Sequence, residues 1–450
     1  MKIKLVYFFL LFLLCRTLTG CSDILDAKPQ QSLLVPSKLS DFQALLDDFA
    51  LMNYFVSGLS SVAVDDFYTT DGGWQSLQPI ERNAYLWKED VYDNQVDVSD
   101  WNTPYKVVFN TNIVLDGLSD LSLEAEHLDE SRAIRARALF YRSFAYYALT
   151  QTFFPAFDSG ESSNKQIVPV QLSSDVNEPA SYRSLHELYQ MLISDLTDAA
   201  TALDNLASIR ARPSKMACYA LLARIYLLLA DYEDAARYAS LALEINSTLL
   251  DYSTIPLDTD RPFPNSHLNA NEEVCFYAGM TSYSYHRAAL TFVAPELYTL
   301  YEEDDLRKNI LFKKGDEGIN LKGTYTGNSS RFAGITNAEL LLIRAECNAR
   351  LGNHEQTKID LTTLLKKRYV TDTFSDSVIP DDDLLNFVLL ERRKELVGRD
   401  TSWSDLKRLN LDSETAITLS RMIDGVEYHL PPNDDRYAFP IPQAEGHNPS

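Results

Sequence analysis

ARPSKMACYALLARIYLLLADYEDAARYA, residues 211–239, decides the fold of this chain. From Ala223 onward it reads as a helix, a short turn and a second helix. Ala223, Tyr226, Ala235 and Ala242 fall at the offsets of a repeated helix pair. Small residues at those places let two helices approach closely, so that each pair stacks on its neighbours. A second copy, AECNARLGNHEQTKIDLTTLLKK, starts at Ala345. At an offset of 122 residues Ala223 meets Ala345, Asp231 meets Asn353 and Glu233 meets Glu355, while Thr357 replaces an alanine.

The placement of small residue, turn and alanine is the tetratricopeptide pattern. The two copies are separated in sequence, so insertions must interrupt the array. Other segments extend the helical reading. ESRAIRARALFYRSFAYYALTQTFF (130–154) keeps apolar or small residues at three- and four-residue spacing through Ala138, Phe144, Tyr147 and Ala148. SYRSLHELYQMLISDLTDAATAL (181–203) does likewise, with Ser181 or Ser184 placed to cap its start. Residues 52–105 and 250–336 are rich in Asp, Asn, Gly, Pro, Ser and aromatics and show little helical period. They are expected to be long loops and short strands carried on the helical body, where binding surfaces tend to sit.

At the N-terminus, Lys2 and Lys4 precede LVYFFLLFLLC (5–15), an apolar run of 11 residues. That is shorter than the roughly 20 a spanning helix needs, and the layout is that of a secretory signal peptide. Leu18-Thr19-Gly20-Cys21 resembles the lipobox of bacterial lipoproteins. The resemblance implies that Cys21 becomes the lipidated first residue, with the several acyl chains that stable anchoring requires. Ser22 rather than aspartate behind it is compatible with export to an outer membrane.

The chain carries a formal charge of −23, and removing residues 1–20, which hold Lys2, Lys4 and Arg16, makes it −26. Such acidity argues against nucleic acid and against a polybasic hold on lipid. Cys218, Cys275 and Cys347 are widely spaced and read as buried small hydrophobes. HEL at 186 and HEQ at 354 lack the second histidine of a zinc helix, and no G-x-S-x-G, P-loop or G-x-G-x-x-G occurs. DVYDNQVDVSD (90–100) lacks the glycine and glutamate of a calcium loop and reads as a solvated acidic loop. ERRKEL (391–396) reads as ion pairs through Arg392, Arg393 and Glu395 that tie the last helices to the body, not as acid–base catalysis.

Taken in order, these segments resemble the SusD/RagB family of outer-membrane nutrient-binding lipoproteins. The likeness runs from the lipobox through YLW and WNTPYKVVFNTNIVLDGL (85–118), ARALFYRSFAYYALTQTF, LYQMLISDLTDAATAL and the stretch quoted first. It continues in NAELLLIRAECNARLG, ERRKEL with WSDLKRLN (403–410), and the closing FPIPQAEGHNPS. Two departures bear on the ligand site: three residues separate Arg399 from Trp403 where family members often run Gly-x-Arg-Trp, and the chain looks short for the family. The resemblance implies an all-α dominated fold, a SusD-like α/α superhelix of tetratricopeptide-like pairs with loop-rich insertions carrying short strands. The expected division is a signal peptide at 1–20, a tether at 21–40 and a single body at 41–450. Helical repeats lie mainly in 106–250 and 337–410, with the ligand face in 52–105 and 250–336.

It also implies a function without covalent chemistry or a cofactor. Anchored at Cys21 on the outer face of a Gram-negative outer membrane, such a protein caps a TonB-dependent, SusC-like β-barrel transporter as a hinged lid. The cargo implied first is an oligosaccharide; a peptide or glycoprotein cargo and a lipid-anchored scaffold without small-ligand binding stay open. Sugar rings stack on aromatic faces while amides and charged groups take their hydroxyls. FYTTDGGWQSLQ (67–78) therefore nominates Tyr68, Asp71 and Trp74 in a turn made by Gly72-Gly73, and the segment before YLW contributes to the ligand face in the family. GMTSYSYHR (279–287) adds Tyr283 and Tyr285, and TYTGNSSRF (324–332) adds Tyr325, Asn328 and Arg331. Trp87, Trp101 and Trp403 are expected in the core.

Overall fold

The structure of the protein, a computed structural model, describes residues 36–264, 271–287 and 289–442. The expected signal segment, Cys21 and the chain end from 443 lie outside the described residues. The body is dominated by helix. Ten described helices have eight residues or more: α1 (Leu39–Leu46), α2 (Ser99–Asp120), α3 (Leu128–Phe153), α4 (Leu185–Ala202), α5 (Lys215–Leu228), α6 (Tyr232–Ile245), α7 (Asn337–Arg350), α8 (His354–Leu365), α9 (Leu384–Glu395) and α10 (Thr401–Leu409). The described strands form two-stranded antiparallel ladders only, the longest pairing Leu419–Ile423 with Val426–Leu430. None of the described helices is long and apolar enough to cross a membrane.

Several helices start where a side chain supplies a cap. Ser184 Oγ accepts from Glu187 N at 3.1 Å while Glu187 returns a bond to Ser184 N at 2.8 Å, so α4 begins after Ser184. The three residues from Ser181 instead form a strand against Val168–Val170. Ser214 caps α5, and Asp231 caps α6. α6 buries Ala235, Tyr238, Ala239, Ala242 and Leu243 along one stripe. α5 is buried nearly all round, with Met216, Ala217, Ala220, Leu221, Ala223 and Ile225 enclosed, because neighbours pack on several sides of it.

The two sequence copies are the helix pairs α5–α6 and α7–α8, and α6 packs directly against α7. The array interrupted in sequence is thus contiguous in space. Ala230 and Gly352, which the 122-residue offset aligns, both turn the chain with positive φ, 56° and 78°. Glycine takes this conformation freely, whereas the alanine is held there by its surroundings. Thr357 fits where alanine was expected because its buried hydroxyl donates to Ala345 O and Asn353 O, both at 3.3 Å.

Arg224 joins the two pairs. It donates to the two Glu339 carboxylate oxygens at 2.6 and 2.7 Å and to Gly334 O at 2.7 Å. Asp400 Oδ2 lies 3.5 Å from the same guanidinium. Burial pushes the Asp400 carboxyl up to about 7, with Arg224 opposing the rise and Glu339 adding to it. A carboxyl raised in the fold contributes stability below its unfolded value that is lost as pH climbs through the folded one. Asp400→Asn removes this dependence. Its stability relative to the parent is expected to improve by on the order of 2 kcal/mol between pH 5 and pH 8, read from urea midpoints; a difference independent of pH contradicts the assignment.

The ERRKEL helix forms the expected ion pairs. Arg392 meets Asp405 at 2.7 Å, Arg393 meets Asp65 and Asp66 at 3.1 Å, and Glu395 meets Arg368 at 2.9 Å. Trp87 and Trp403 are in the core; Trp101 is half-buried against Phe153. Cys218, Cys275 and Cys347 are buried free thiols.

Residues 52–105 depart from the loop-rich expectation. Leu59–Ala63, Asp71–Ser76 and Pro79–Tyr85 are short helices, and α2 starts at Ser99. Gly72 and Gly73 lie inside the first turn of Asp71–Ser76, not in a free turn, because Thr70 Oγ1 accepts from Gly73 N at 3.1 Å and caps a helix there. The acidic stretch ends on Asp100, which is buried rather than solvated and accepts from Ser57 Oγ, Gly58 N and Leu59 N at 2.6, 2.8 and 3.0 Å.

Candidate functional site

Three segments of the insertion 250–336 meet around an open cleft of about 590 Å³, within the size range of ligand sites. One wall is the turn Ser282–Arg287. The others are the hairpin Phe312–Lys314 with Ile319–Leu321 and the loop 323–331.

Tyr283 is fixed in the first wall. Its hydroxyl donates to Asp100 Oδ2 at 2.5 Å, and Asp100 is in turn held by the backbone of Gly58 and Leu59. A side chain at Gly58 would strike Thr281 O, so the glycine permits the close approach that seats this wall. Burial and the Asp100 charge push the Tyr283 phenol up, so it stays a donor. His286 Nδ1 accepts from Tyr283 N at 3.5 Å, which assigns the proton to Nε2, 2.6 Å from Ser61 Oγ. Burial, with the nearby Arg331 charge, drops the imidazole to about 3. It is therefore a neutral structural donor at neutral pH.

The loop 323–331 is closed by its own hydroxyls. Thr324 Oγ1 accepts from Phe332 N at 2.9 Å, and Thr326 Oγ1 donates to Ser330 O at 2.8 Å. Asn328 Oδ1 accepts from Ser330 N at 2.7 Å, leaving the amide NH2 toward the cleft without a partner among the described residues. The Arg331 guanidinium rests on the Phe67 ring, 4.9 Å from its centroid. It forms no hydrogen bond or ion pair among the described residues, and burial without a counter-charge pulls it down to about 10, still protonated at neutral pH. Gly398, at φ 70°, passes so close that an added Cβ would lie 2.9 Å from Arg331 Nη1. The backbone after ERRKEL thus packs directly against Arg331.

Of the eight residues nominated for ligand contact, the cleft brings together Tyr283, Asn328 and Arg331. Two others are corrected. Tyr285 is buried, donating its hydroxyl to Phe67 O at 3.1 Å and its amide to Glu81 Oε1 at 2.7 Å. Its alternation with Tyr283 sends the two rings to opposite sides of the wall, one to the cleft and one to the core. Tyr325 is buried too, its hydroxyl bonded to Glu273 Oε1 and to Tyr252 at 2.9 Å, with the Arg399 guanidinium on its ring. Both are core residues because buried hydroxyls need partners and these find them inside.

Tyr68, Asp71 and Trp74 are not among the cleft's lining. Tyr68 packs on Phe292, ring centroids 5.5 Å apart. Asp71 is exposed and accepts from Asp424 N at 3.0 Å, tying its helix to the C-terminal hairpin turn. Trp74 is half-buried, donates to Arg82 O at 3.2 Å and carries the Arg82 guanidinium on its face.

Sequence reading passed over Arg261, Arg287, Lys313, Lys322 and Asn320, all of which line the cleft. A signal existed: between 306 and 331 six basic residues face two acidic ones, in a chain of the opposite balance. The YLW segment has a structural role. Arg421 from the C-terminal hairpin stacks on Tyr85 at 3.8 Å and Trp87 at 4.5 Å while donating to Val62 O and Ala63 O.

Two family models match the chain. One, SusD-like and described as starch-binding associating with outer membrane, covers residues 23–227; the other, described as SusD family, covers 310–448. The chain is 24% identical to SusD-like protein P2 of Formosa agariphila over 92% of both chains, and 20% identical to SusD-like protein P38 of the same organism over 96% of this chain and 95% of that one. It spans nearly the whole of these relatives, and the alignments run over 493 and 521 positions against its own 450 residues, so both relatives carry residues that this chain lacks. Among solved structures, a putative sugar-binding protein of Bacteroides vulgatus superposes with a TM-score of 0.73 at 18% identity, covering 91% of this chain and 96% of the other. A SusD superfamily protein of Bacteroides thetaiotaomicron gives 0.72 at 21%, with 90% and 96% covered. At such identities the likeness is one of fold.

Proposed function

Since the chain belongs to the SusD/RagB family, we propose that it is a surface lipoprotein that captures an oligosaccharide in the cleft of Tyr283, Asn328 and Arg331 and delivers it to a TonB-dependent β-barrel. SusD-family proteins bind their cargo rather than transform it. The family description that couples starch binding to the outer membrane supports the saccharide cargo and the outer-membrane location. The observation that carries it is the cleft itself: an open, polar hollow on a helical body, lined by an Asn328 amide NH2 and an Arg331 guanidinium that have no hydrogen-bond or ion-pair partner among the described residues. Cys21 is the proposed anchor. Among the described residues Asp260 alone brings a carboxylate to the cleft, so the two-carboxylate machinery of glycoside cleavage is not part of the proposal.

Tagged protein extracted from its native outer membrane in mild detergent is expected to bring down a β-barrel of the TonB-dependent class in stoichiometric amount, identified by mass spectrometry. Recovery alone, or with other surface proteins only, removes the lid mechanism and leaves a lipid-anchored scaffold.

A further inference from the structure

The cleft reverses the charge of the molecule. Carboxylates outnumber Lys and Arg by 64 to 41 in the chain, yet Arg261, Arg287, Lys313, Lys322 and Arg331 line the cleft against the single carboxylate of Asp260. Two of the five cations are engaged. Lys313 pairs with Asp260 at 2.8 Å, and Lys322 donates to Leu257 O and Asn309 O at 2.6 and 2.9 Å. The side chains of Arg261, Arg287 and Arg331 form no ion pair among the described residues. Elsewhere in this acidic chain arginines meet carboxylates readily, as Arg224, Arg368, Arg392 and Arg408 do. Three guanidinium groups left without a carboxylate around one hollow are a site prepared for a negative charge from outside.

We infer that the cargo is an anionic glycan, whose carboxylate or sulfate groups are received by Arg331 and Arg287 while Asn328 and Tyr283 meet the sugar ring. This rests on the sugar-capture reading above. The guanidinium fork matches the two oxygens of a carboxylate or sulfate, and Arg331, pre-oriented on Phe67, loses little freedom on binding. The net negative charge of the chain opposes a long polyanion such as nucleic acid, so the attraction is confined to the cleft's own basic groups. Uronates and sulfated sugars share the chemistry recognised here.

The test is calorimetric titration of the full soluble body with four saccharide probes and one peptide: oligogalacturonate, its methyl ester, a sulfated galactan oligosaccharide, its desulfated form, and a short oligoglutamate. Binding of an acidic saccharide, absence of binding to its neutral partner, and weakening on raising salt from low to about 150 mM are expected. Whether the uronate or the sulfate binds identifies the group. Arg331→Gln is expected to weaken that affinity by about tenfold or more. Arg287→Gln, at an exposed position, tests the same point without threatening the fold. Equal affinity for the neutral saccharides overturns the anionic cargo and leaves sugar capture standing. Binding of oligoglutamate alone overturns it in favour of an acidic peptide. Failure of every saccharide and of the peptide to bind a folded protein overturns both this inference and the capture reading.

Discussion

Arg368→Met is expected to destabilise the body by about 3–5 kcal/mol, the cost of breaking a buried charge network. Arg368 is fully enclosed, with its guanidinium 4.1 Å over the Tyr252 ring. It donates to Glu395 at 2.9–3.0 Å, to both oxygens of Glu273 at 3.0–3.1 Å and to Leu250 O at 2.8 Å. Those partners belong to α9, to the chain entering the strand Val274–Phe276 and to the segment after α6, so one side chain fastens three parts of the body. Glu395 keeps a second partner in Arg307 at 3.3 Å. Glu273 keeps hydrogen bonds from Leu250 N and the Tyr325 hydroxyl but loses its ion-pair partner. Arg368→Met with Glu273→Gln, which removes the carboxylate left behind, should recover part of the deficit. Urea midpoints decide the matter; a deficit under about 1 kcal/mol would place the network with surface ion pairs in energy.

Trp403→Ala is the second large effect, about 3–5 kcal/mol for a buried indole removed from a packed site. Trp403 stands on α10, 1% exposed, with the Tyr437 and Phe439 rings at 4.9 and 6.0 Å. Phe439 N donates to Thr152 O at 2.9 Å and Tyr92 donates to Pro440 O at 2.5 Å, so the closing segment lies across the end of α3 with the indole beneath it. Lys407 on the same helix donates to Thr150 O, Gln151 O and Phe154 O at 3.3, 2.9 and 2.5 Å and closes the α3 C-terminus. Losing the indole should free the last residues first, seen as early proteolytic cleavage after about residue 430 together with a lowered melting midpoint. The Trp403 indole N–H has no acceptor among the described residues. Trp403→Phe therefore forfeits ring contact but no hydrogen bond, and should cost about 1 kcal/mol. Equal losses for the two variants would contradict this account of the site.

Local patterns carried the helical body because their physics is local. Ala223, Ala235 and Ala242 mark close helix contacts wherever they occur, and Ser184 with Glu187 marks a helix start within four residues. The ERRKEL pairing was legible because a charged run beside apolar residues needs partners if it is buried. The residues from 52 to 105 misled for a related reason. Helices of five to seven residues have too few turns to show a period, and Gly72-Gly73 reads as a turn unless the Thr70 cap is weighed with it.

The ligand face was less legible. Tyr283 and Tyr285 stand two residues apart with similar neighbours, and only the packing of Gly58 against Thr281 and the hold of Asp100, 183 residues from Tyr283, decide which ring meets solvent. Tyr325 looked like Tyr283 until Glu273 and Arg399 were seen to enclose it. A helical body built on two equivalent pairs, the order of its segments and the resemblance they carry were all legible in the residues alone, since each depends on residues within a few turns of one another. The cleft was not: Arg261, Arg287, Lys313, Lys322 and Arg331 stand on separate stretches of chain, and charges of one sign become a site only when folding brings them to one hollow and leaves most carboxylates elsewhere.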